Sequence, residues 1–267
     1  MVHKLRWSRV SVGSYSGKAS ESASMKSRAI SVVLPAYRAS AIVAETVASV
    51  RSALSGAELE IIVVDDGSGD DTDAEARRGG ADRVIEFPQN RGKGAAVRAG
   101  MMNASGSYLV FTDVDLAYAP SQILSLVEAL ENGADVALGS RRHPLSREIA
   151  PAPALRERGS RIFNLFTRFV LRSSYLDTQC GLKAFTAESA KEIFSRTKVD
   201  GFAFDVEVLH LAEKLEFNTT EIPVVLDHVE QTTVRFMPQA TRMMCDVLKI
   251  RLWSALGRYP GLIPGHG

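Results

Sequence analysis

The sequence predicts an α/β domain with a mostly parallel central sheet that is flanked by helices. Short runs of β-branched and aliphatic residues alternate with segments whose apolar residues recur at helical spacing, which is the pattern of βαβ units. The 267 residues are 45% hydrophobic and 24% charged, so the chain has enough apolar material for a large core. We therefore expect one large α/β domain, over residues 29–257.

The first βαβ unit is predicted to begin with a strand at residues 30–34, which Pro35 ends. The turn after it reads Pro35-Ala36-Tyr37-Arg38 and lacks the Gly-x-Gly-x-x-Gly loop that places a dinucleotide pyrophosphate on a helix start. This turn disfavours a dinucleotide-dependent dehydrogenase. The helix that follows has apolar residues at helical spacing, namely Ile42, Val43, Val47, Val50 and Leu54.

The second predicted strand, residues 60–64, ends in two acids, Asp65 and Asp66, which Gly67 follows. Carboxylates at the carboxyl end of a parallel strand lie where such sheets bind ligands. They can accept hydrogen bonds from ribose hydroxyls or from base N–H groups. We predict that these residues contribute to a nucleotide site.

A third predicted strand, near residues 83–87, leads to a glycine-rich stretch that contains Gly92, Lys93 and Gly94. Glycines that flank a lysine at a helix start offer bare backbone N–H groups and one cation, which suits a phosphate group. The stretch does not match the P-loop pattern Gly-x4-Gly-Lys-[Ser/Thr]. We predict that Lys93 and Gly94 bind the phosphates of a nucleotide.

The fourth predicted strand, residues 108–112, ends in two carboxylates one residue apart, Asp113 and Asp115. Two carboxylates that are about 5 Å apart repel each other by roughly 3 kcal/mol, so a bound cation would stabilise them. Oxygen ligands favour Mg²⁺ or Mn²⁺. We predict a metal site here, whereas a second Asp-x-Asp, at residues 71–73, is predicted to be a solvated helix start.

Residues 141–172 are rich in arginine, with eight arginines against two glutamates, so an anion is expected there. From residue 158 the segment predicts a basic amphipathic helix, which either packs on the sheet or lies on an anionic membrane. A weaker repeat of this pattern covers residues 242–256. The basic side carries Arg158, Arg161, Arg168 and Arg172, and the adjacent apolar side carries Ile162, Phe163, Phe166, Phe169 and Val170.

The two ends of the chain are predicted to lie outside the folded domain. Residues 1–28 carry six basic residues against one acidic residue and are predicted to form a disordered basic tail, and residues 258–267 to form a frayed end. No apolar stretch reaches the roughly 20 residues that span a bilayer. Two cysteines, Cys180 and Cys245, are too few for a disulfide framework. We expect a cytoplasmic protein, peripheral on the inner face of the membrane.

The strand-end motifs, taken in order, resemble the family 2 glycosyltransferases of the GT-A fold. The motifs that carry this resemblance are Val33-Leu34-Pro35-Ala36-Tyr37, Val64-Asp65-Asp66-Gly67-Ser68, Gly92-Lys93-Gly94 and Asp113-Val114-Asp115. Further on, the runs at 177–186, 201–207 and 221–224 are similar to the dolichyl-phosphate or polyprenyl-phosphate glucosyltransferase branch. Ala117 stands where mannosyl-transferring members typically carry a Gln beside the metal, and Leu226 stands near a position where glucosyl-type members have Trp.

The resemblance implies inverting transfer of a hexose, foremost glucose from UDP-glucose, to a polyprenyl or dolichyl phosphate, with no nucleic acid as partner. Asp113 and Asp115 would hold Mg²⁺ or Mn²⁺, and contact with an anionic membrane is expected. The residues expected to act in catalysis are Asp113, Asp115, Arg141 and Asp177. The nucleotide-sugar site is expected to comprise Pro35, Ala36, Tyr37, Asp65, Asp66, Gly67, Lys93, Gly94 and Asp113. The acceptor side is expected to comprise Arg141, Arg142, Arg158, Arg161, Lys183 and Asp205.

Two other functions remain open from the residues. One is a glycosyltransferase that acts on a soluble hydroxyl acceptor, which would need a general base such as Asp177 or Asp205. The other is a nucleotide-binding protein without transferase activity. A sugar nucleotidylyltransferase is less favoured, because Pro35-Ala36-Tyr37 replaces the glycine-rich first loop of that chemistry.

Overall fold

The computed structural model describes residues 29–149, 154–226 and 236–261. The predicted basic tail, residues 1–28, and residues 262–267 of the predicted frayed end therefore lie outside the described residues. The strands are β1 (Ala29–Ala36), β2 (Glu58–Asp65), β3 (Arg83–Glu86), β4 (Tyr108–Phe111), β5 (Val136–Ser140), β6 (Arg147–Glu148), β7 (Lys183–Thr186), β8 (Thr219–Pro223) and β9 (Val225–Leu226). The helices are α1 (Val43–Ala53), α2 (Thr72–Arg78), α3 (Lys93–Asn103), α4 (Ile123–Glu131), α5 (Ala154–Leu171), α6 (Ala187–Phe194), α7 (Phe204–Lys214) and α8 (Phe236–Ala255), with a short 3-10 helix at Pro120–Gln122.

Seven strands form one central sheet in the order β3-β2-β1-β4-β7-β5-β8. Neighbouring strands are parallel except β7, which runs antiparallel to both β4 and β5. The short strands β6 and β9 pair in parallel as a separate sheet. The predicted mostly parallel sheet is confirmed. Because β7 is reversed, its first residues lie at the same sheet edge as the carboxyl ends of β1, β2, β4 and β5.

Helices cover both faces of the sheet, so successive residues of the central strands are buried on opposite sides. In β1, Val32 and Leu34 pack with α1 and α4, whereas Val33 packs with α3 on the other face. This double burial explains why β1 and β2 appear in the sequence as continuous apolar runs and not as alternating ones. The second face also contains a group of packed aromatic rings, Phe111, Phe185, Phe194 and Phe204.

The C-terminal turn packs against the domain, contrary to the predicted frayed end from residue 258. Tyr259 is 1% exposed, and its hydroxyl donates a 2.8 Å hydrogen bond to the buried carboxylate of Glu207. The ring of Trp253 meets the Tyr259 ring edge-on, and Arg196 Nε donates to the carbonyl of Pro260 at 2.7 Å. Residues 258–261 are therefore held in place by a tertiary contact that their polar composition did not indicate.

Candidate active site

The ends of β1 and β2 are joined by a chain of hydrogen bonds. The Asp65 carboxylate accepts hydrogen bonds from the backbone N–H of Ser68, at 3.0 Å, and from the Ser68 hydroxyl. The Ser68 hydroxyl oxygen in turn accepts from the Arg38 N–H at 2.8 Å. This chain fixes the turn that leaves the Tyr37 ring exposed, while Pro35 and Ala36 are buried in β1.

Gly67 is required by the close approach of two loops at this edge. Its φ of +69° lies in the left-handed region, which side chains rarely adopt. A Cβ atom at this position would lie 2.3 Å from the carbonyl carbon of Gln89. Gly67 therefore lets the loop after β2 contact the loop before α3.

Asp66 holds that second loop through its carboxylate. The carboxylate accepts hydrogen bonds from Asn90 Nδ2 at 2.9 Å, from Arg91 N at 2.7 Å and from Gly92 N at 2.9 Å. Burial raises the pKa of Asp66, and the backbone hydrogen bonds only partly oppose this effect. Asp66 is therefore a structural anchor for the start of α3, and its predicted contact with a nucleotide stays a prediction.

The glycine-rich start of α3 corrects one expectation. The N–H of Gly94 donates to the Asp200 carbonyl at 2.8 Å, and the N–H of Ala95 donates to the same oxygen at 3.2 Å. A Cβ atom at Gly94 would lie 2.4 Å from the Val199 carbonyl oxygen. The prediction of bare backbone N–H groups for phosphate binding is therefore wrong for Gly94 and Ala95. Both N–H groups are hydrogen-bonded to the segment before α7. The lysine between the two glycines remains as the phosphate-binding candidate.

Lys93 meets the predicted metal site directly, because its ammonium contacts Asp113 Oδ1. Burial would lower the pKa of Lys93, but the charges of Asp113 and Asp205 outweigh it and raise the pKa. Asp115 Oδ1 accepts from the Ala117 N–H at 3.2 Å. The structure thus brings the start of α3 and the end of β4 together at one charged point.

The carboxylates of Asp113 and Asp115 suit Mg²⁺ or a similar divalent ion. Within the described ranges, no group of three or more His, Cys, Asp or Glu side chains could hold a metal by itself. Mg²⁺ is usually bound through one or two carboxylates, with phosphate oxygens and water completing the shell. Asp113 and Asp115 provide two carboxylates, both partly exposed, which matches that pattern.

The segment before β7 contacts Asp113 from the other side. A Cβ atom at Gly181 would lie 2.2 Å from Asp113 Oδ2, so the absence of a side chain there accommodates the carboxylate. Sequence reasoning did not assign Gly181 a role. Its signal was the specific run at 177–181, but only the pairing of β7 with β4 shows which carboxylate it meets.

Lys183 and Asp205 form a buried ion pair below the site, which corrects their placement on the acceptor side. Their side chains are 0% and 7% exposed, with Lys183 Nζ 2.6 Å from Asp205 Oδ1. Lys183 Nζ also donates to the Cys180 carbonyl at 2.7 Å and lies 5.5 Å from the centre of the Phe111 ring. Two groups this deeply buried do not reach an acceptor in this arrangement.

Arg141 lies directly after β5, and both carboxylate oxygens of Asp177 accept hydrogen bonds from it. Arg141 Nε donates to Oδ2 at 2.7 Å, Nη2 donates to Oδ1 at 2.8 Å, and the Arg141 N–H donates to Oδ2 at 3.1 Å. Burial would raise the pKa of Asp177, but the hydrogen bonds and charge of Arg141 outweigh it and lower the pKa. Asp177 is 2% exposed. The prediction that Asp177 acts in catalysis is therefore corrected, because its carboxylate is committed to orienting Arg141.

The other predicted arginines lie around the start of α5. Arg142 Nη2 donates to the Ser160 hydroxyl at 3.2 Å, which links the end of β5 to the helix turn that carries Arg158 and Arg161. Both of these arginines are exposed. The structure thus brings four predicted acceptor-side arginines to one region.

Helix α5 packs on the domain through one face, while contact of its exposed face with a membrane stays a prediction. Phe163 is 9% exposed and packs in the core with Phe166, whereas Phe169 is 83% exposed. The exposed face also carries Ile162 and Leu165, beside the arginines. Helix α8 adds an exposed apolar stripe at Met244, Leu248 and Leu252, which Leu256 continues just after the helix. No helix in the described part of the chain is long and apolar enough to cross a bilayer.

A mostly parallel sheet with an Asp-x-Asp after its central strand, a lysine facing it and helices on both sides defines a glycosyltransferase of the GT-A fold. The chain belongs to glycosyl transferase family 2, whose family model matches residues 31–194. The predicted fold class and the family resemblance are both confirmed.

Two relatives have the same name, dolichyl-phosphate beta-glucosyltransferase. The chain is 36% identical to that of Drosophila melanogaster, over 73% of this chain and 66% of the relative. It is 31% identical to that of Saccharomyces cerevisiae, over 86% of this chain and 76% of the relative. The chain spans less than two thirds of the length of several such relatives, between 64% and 66%.

A solved structure with the same fold is glucosyl-3-phosphoglycerate synthase from Mycobacterium tuberculosis, in complex with Mn²⁺, uridine-diphosphate-glucose and phosphoglyceric acid. It matches 90% of this chain and 82% of its own chain, with a TM-score of 0.64 and 23% sequence identity. At this identity the likeness shows the fold.

Proposed function

We propose that the protein transfers glucose from UDP-glucose to a polyprenyl or dolichyl phosphate, with inversion at the anomeric carbon. The observation that carries this proposal is the pair of charged points at one sheet edge. On the donor side, Lys93 begins α3 and two carboxylates follow β4, and on the acceptor side an arginine oriented by a carboxylate follows β5. The shared name of the relatives supports glucose and the lipid phosphate.

On the donor side, Asp113 and Asp115 would hold Mg²⁺ or Mn²⁺, and Tyr37, Asp65 and Lys93 would contact the nucleotide. The bound ion would neutralise charge that develops on the departing diphosphate. Lys93 already contacts Asp113, so it lies where a phosphate group would meet the metal ligands. The related fold crystallised with Mn²⁺ and UDP-glucose supports this choice of donor and ion.

On the acceptor side, the structure favours a phosphate over a hydroxyl acceptor. A hydroxyl nucleophile needs a general base, and the two candidates were Asp177 and Asp205. Each carboxylate is instead buried and paired with a cation, Arg141 and Lys183 respectively. A phosphate oxygen is already ionised at neutral pH and needs an orienting cation more than a base. Arg141 supplies one, because its guanidinium has five N–H donors and Asp177 uses two of them.

The proposed reaction is a single displacement. An oxygen of the acceptor phosphate forms a bond to the anomeric carbon of glucose, on the face opposite the diphosphate. The bond from that carbon to the β-phosphate oxygen breaks, and UDP leaves with the electron pair. No proton needs to be transferred in this step, which agrees with the pairing of Asp177 and Asp205 with cations.

The exposed face of α5 supports a peripheral position on the cytoplasmic face of an anionic membrane. At about 100° per residue, Ile162, Leu165 and Phe169 lie on the same side of the helix as its exposed arginines. Apolar side chains that enter the interface together with arginines that meet lipid phosphates are the features of an interfacial helix. Such contact would bring the acceptor side to its lipid substrate.

The test is transfer of radiolabelled glucose from UDP-glucose by the full chain in detergent with Mn²⁺. Dolichyl phosphate is the acceptor, and dolichol, which differs only in lacking the phosphate, is the matched control. We expect transfer to the phosphate alone, loss of transfer with a chelator and its return with Mn²⁺. Transfer to dolichol or to a soluble sugar would overturn the lipid-phosphate proposal. A protein that binds UDP-glucose in calorimetry but transfers nothing to any acceptor would have a nucleotide-binding role instead.

A further inference from the structure

We propose that residues 177–183, here called the bridging segment, position the donor side and the acceptor side of the site relative to each other. Gly181, within the segment, accommodates Asp113, and Asp177, its first residue, fixes Arg141. The inference rests on the proposed function, which assigns Asp113 to the metal and Arg141 to the acceptor phosphate. It adds a role for the segment that joins Asp177 to Gly181.

The bridging segment enters the sheet between β4 and β5, the strands that precede Asp113 and Arg141. It leads into β7, which pairs with β4 on one side and with β5 on the other. Asp113 follows β4, and Arg141 follows β5. The first residue of β7, Lys183, is opposite the last residue of β4, Phe111. The donor carboxylate and the acceptor arginine are therefore separated in the sheet only by the strand that this segment begins.

The contact with Asp113 is specific to a glycine at position 181. The three heavy atoms nearest to a Cβ there all belong to the Asp113 carboxyl group, at 2.2, 2.8 and 3.2 Å. The φ of Gly181 lies outside the left-handed region, so its backbone conformation does not itself demand glycine. The missing side chain thus makes room first of all for the carboxylate of the proposed metal ligand.

The contact with Arg141 fixes the plane of a guanidinium. Asp177 accepts from Arg141 Nε and Nη2 at 2.7 and 2.8 Å, and from the backbone N–H of both Arg141 and Gln179 at 3.1 Å. A bidentate pair sets the direction of the remaining guanidinium donors, which a single contact would leave free. The Arg141 side chain is 27% exposed, so the pairing with Asp177 does not cover it completely.

The last residue of the bridging segment, Lys183, is held by the buried ion pair. Lys183 Nζ binds the Cys180 carbonyl and the Asp205 carboxylate, at 2.7 and 2.6 Å, and the N–H of Gly139 donates to the Leu182 carbonyl at 2.9 Å. A buried ion pair is often no more stabilising than well-packed apolar residues. Its use here to hold a loop carbonyl agrees with a positioning role.

The experiment compares Gly181→Ala and Asp177→Asn with Gly106→Ala, using the full chain with UDP and Mn²⁺. Gly106 lies before β4 at the opposite sheet edge, where a Cβ would come within 2.8 Å of the Ala29 carbonyl oxygen. It is therefore a matched control for crowding alone.

We expect Gly181→Ala to weaken Mn²⁺ binding, measured by calorimetry, about tenfold or more, as for other changes beside metal ligands. We expect Asp177→Asn to leave Mn²⁺ binding intact and to raise the KM for dolichyl phosphate about tenfold or more. Gly106→Ala should change neither.

A double-mutant cycle tests the Gly181 contact without any ligand. If the added methyl group meets only Asp113, any fall in Tm caused by Gly181→Ala should disappear in an Asp113→Ala background. An equal fall in both backgrounds would overturn the inference, as would unchanged Mn²⁺ affinity in Gly181→Ala. Equal effects of Gly181→Ala and Asp177→Asn on both readouts would show a general structural role instead. A wild-type protein that binds no UDP with Mn²⁺ would overturn the proposed function itself, whereas the cycle would still report on the contact.

Discussion

The donor side and the acceptor side of the site are built from charged groups in different ways. On the donor side, Asp65 and Asp66 are held by hydroxyl, amide and backbone N–H groups of nearby loops. On the acceptor side, Asp177 is held by a full positive charge, that of Arg141. The pKa of Asp66 is accordingly raised by burial, whereas Arg141 lowers that of Asp177.

This difference shows what each side is organised to do. The donor carboxylates shape loops and leave Lys93 and Asp113 as the charged groups that can meet a diphosphate and its ion. On the proposed acceptor side, the carboxylate of Asp177 instead fixes the guanidinium of Arg141, which would face the acceptor phosphate. The proposed donor side would therefore offer carboxylates fixed at the strand ends as metal ligands. The proposed acceptor side would offer one guanidinium whose orientation is set by an ion pair. Four predictions test this contrast, in order of decreasing expected effect.

The largest effect is expected on the donor side, from Asp115→Asn. Removing one charge from a metal shell should cost about 4 kcal/mol of leaving-group stabilisation, or roughly a thousandfold in kcat, without unfolding the protein. Steady-state transfer assays with saturating Mn²⁺ measure this loss. The control is Asp73→Asn in the other Asp-x-Asp, where Asp73 pairs with Arg77 on the exposed side of α2. Near-normal turnover in Asp115→Asn would remove Asp115 from the metal site.

The second effect lies in the buried face of α5. Phe163→Ser should lower the free energy of unfolding by about 4 kcal/mol, because it removes a buried ring and introduces a hydroxyl among apolar groups. Urea unfolding followed by circular dichroism measures the change. A loss below about 1 kcal/mol would mean that this face does not pack as the structure shows, since exposed positions tolerate such changes within about that range.

The third effect is a pH dependence that belongs to the acceptor side. Arg141 holds the pKa of Asp177 below its ordinary value of 3.8, so the pair stabilises the fold above pH 3.8. This contribution is lost as the pH falls through the lower pKa of the folded state. Asp177→Asn should therefore cost about 3 kcal/mol at neutral pH, because Arg141 loses its buried partner. The deficit in Tm should shrink well below pH 3.8, and a deficit independent of pH would indicate lost packing and not lost charge.

The smallest effect concerns the exposed face of α5 and separates binding from stability. Phe169→Ser should leave Tm within about 2 degrees of wild type, since surface changes are usually worth less than about 0.5 kcal/mol. It should weaken co-sedimentation with anionic liposomes, and salt should weaken that binding in both proteins, because each basic residue near the surface is worth about 1 kcal/mol. Equal liposome binding by both proteins, or none by wild type at low salt, would contradict the interfacial role of α5.

Sequence patterns predicted the donor side better than the acceptor side. The strands that end at Asp65 and before Asp113 were predicted within a few residues, because apolar runs and the turns that end them are local features. The amphipathic character of α5 was also predicted, but the choice between core and membrane was not. Spacing placed Phe163 and Phe169 on one apolar side, and only the packing of the sheet's second face shows that one is buried and the other exposed.

Local sequence alone therefore determined the order of the first four strands, the acids and lysine at one sheet edge, and the family to which the chain belongs. Tertiary structure decided which of these groups meet. It paired Lys183 with Asp205 in the core, committed Asp177 to Arg141, closed the N–H groups of α3 with the Asp200 carbonyl and anchored Tyr259 on the domain. The physical reason is that hydrogen bonds and ion pairs are short-ranged, so a partner 22, 36 or 52 positions away is set by strand order and packing and not by neighbouring residues.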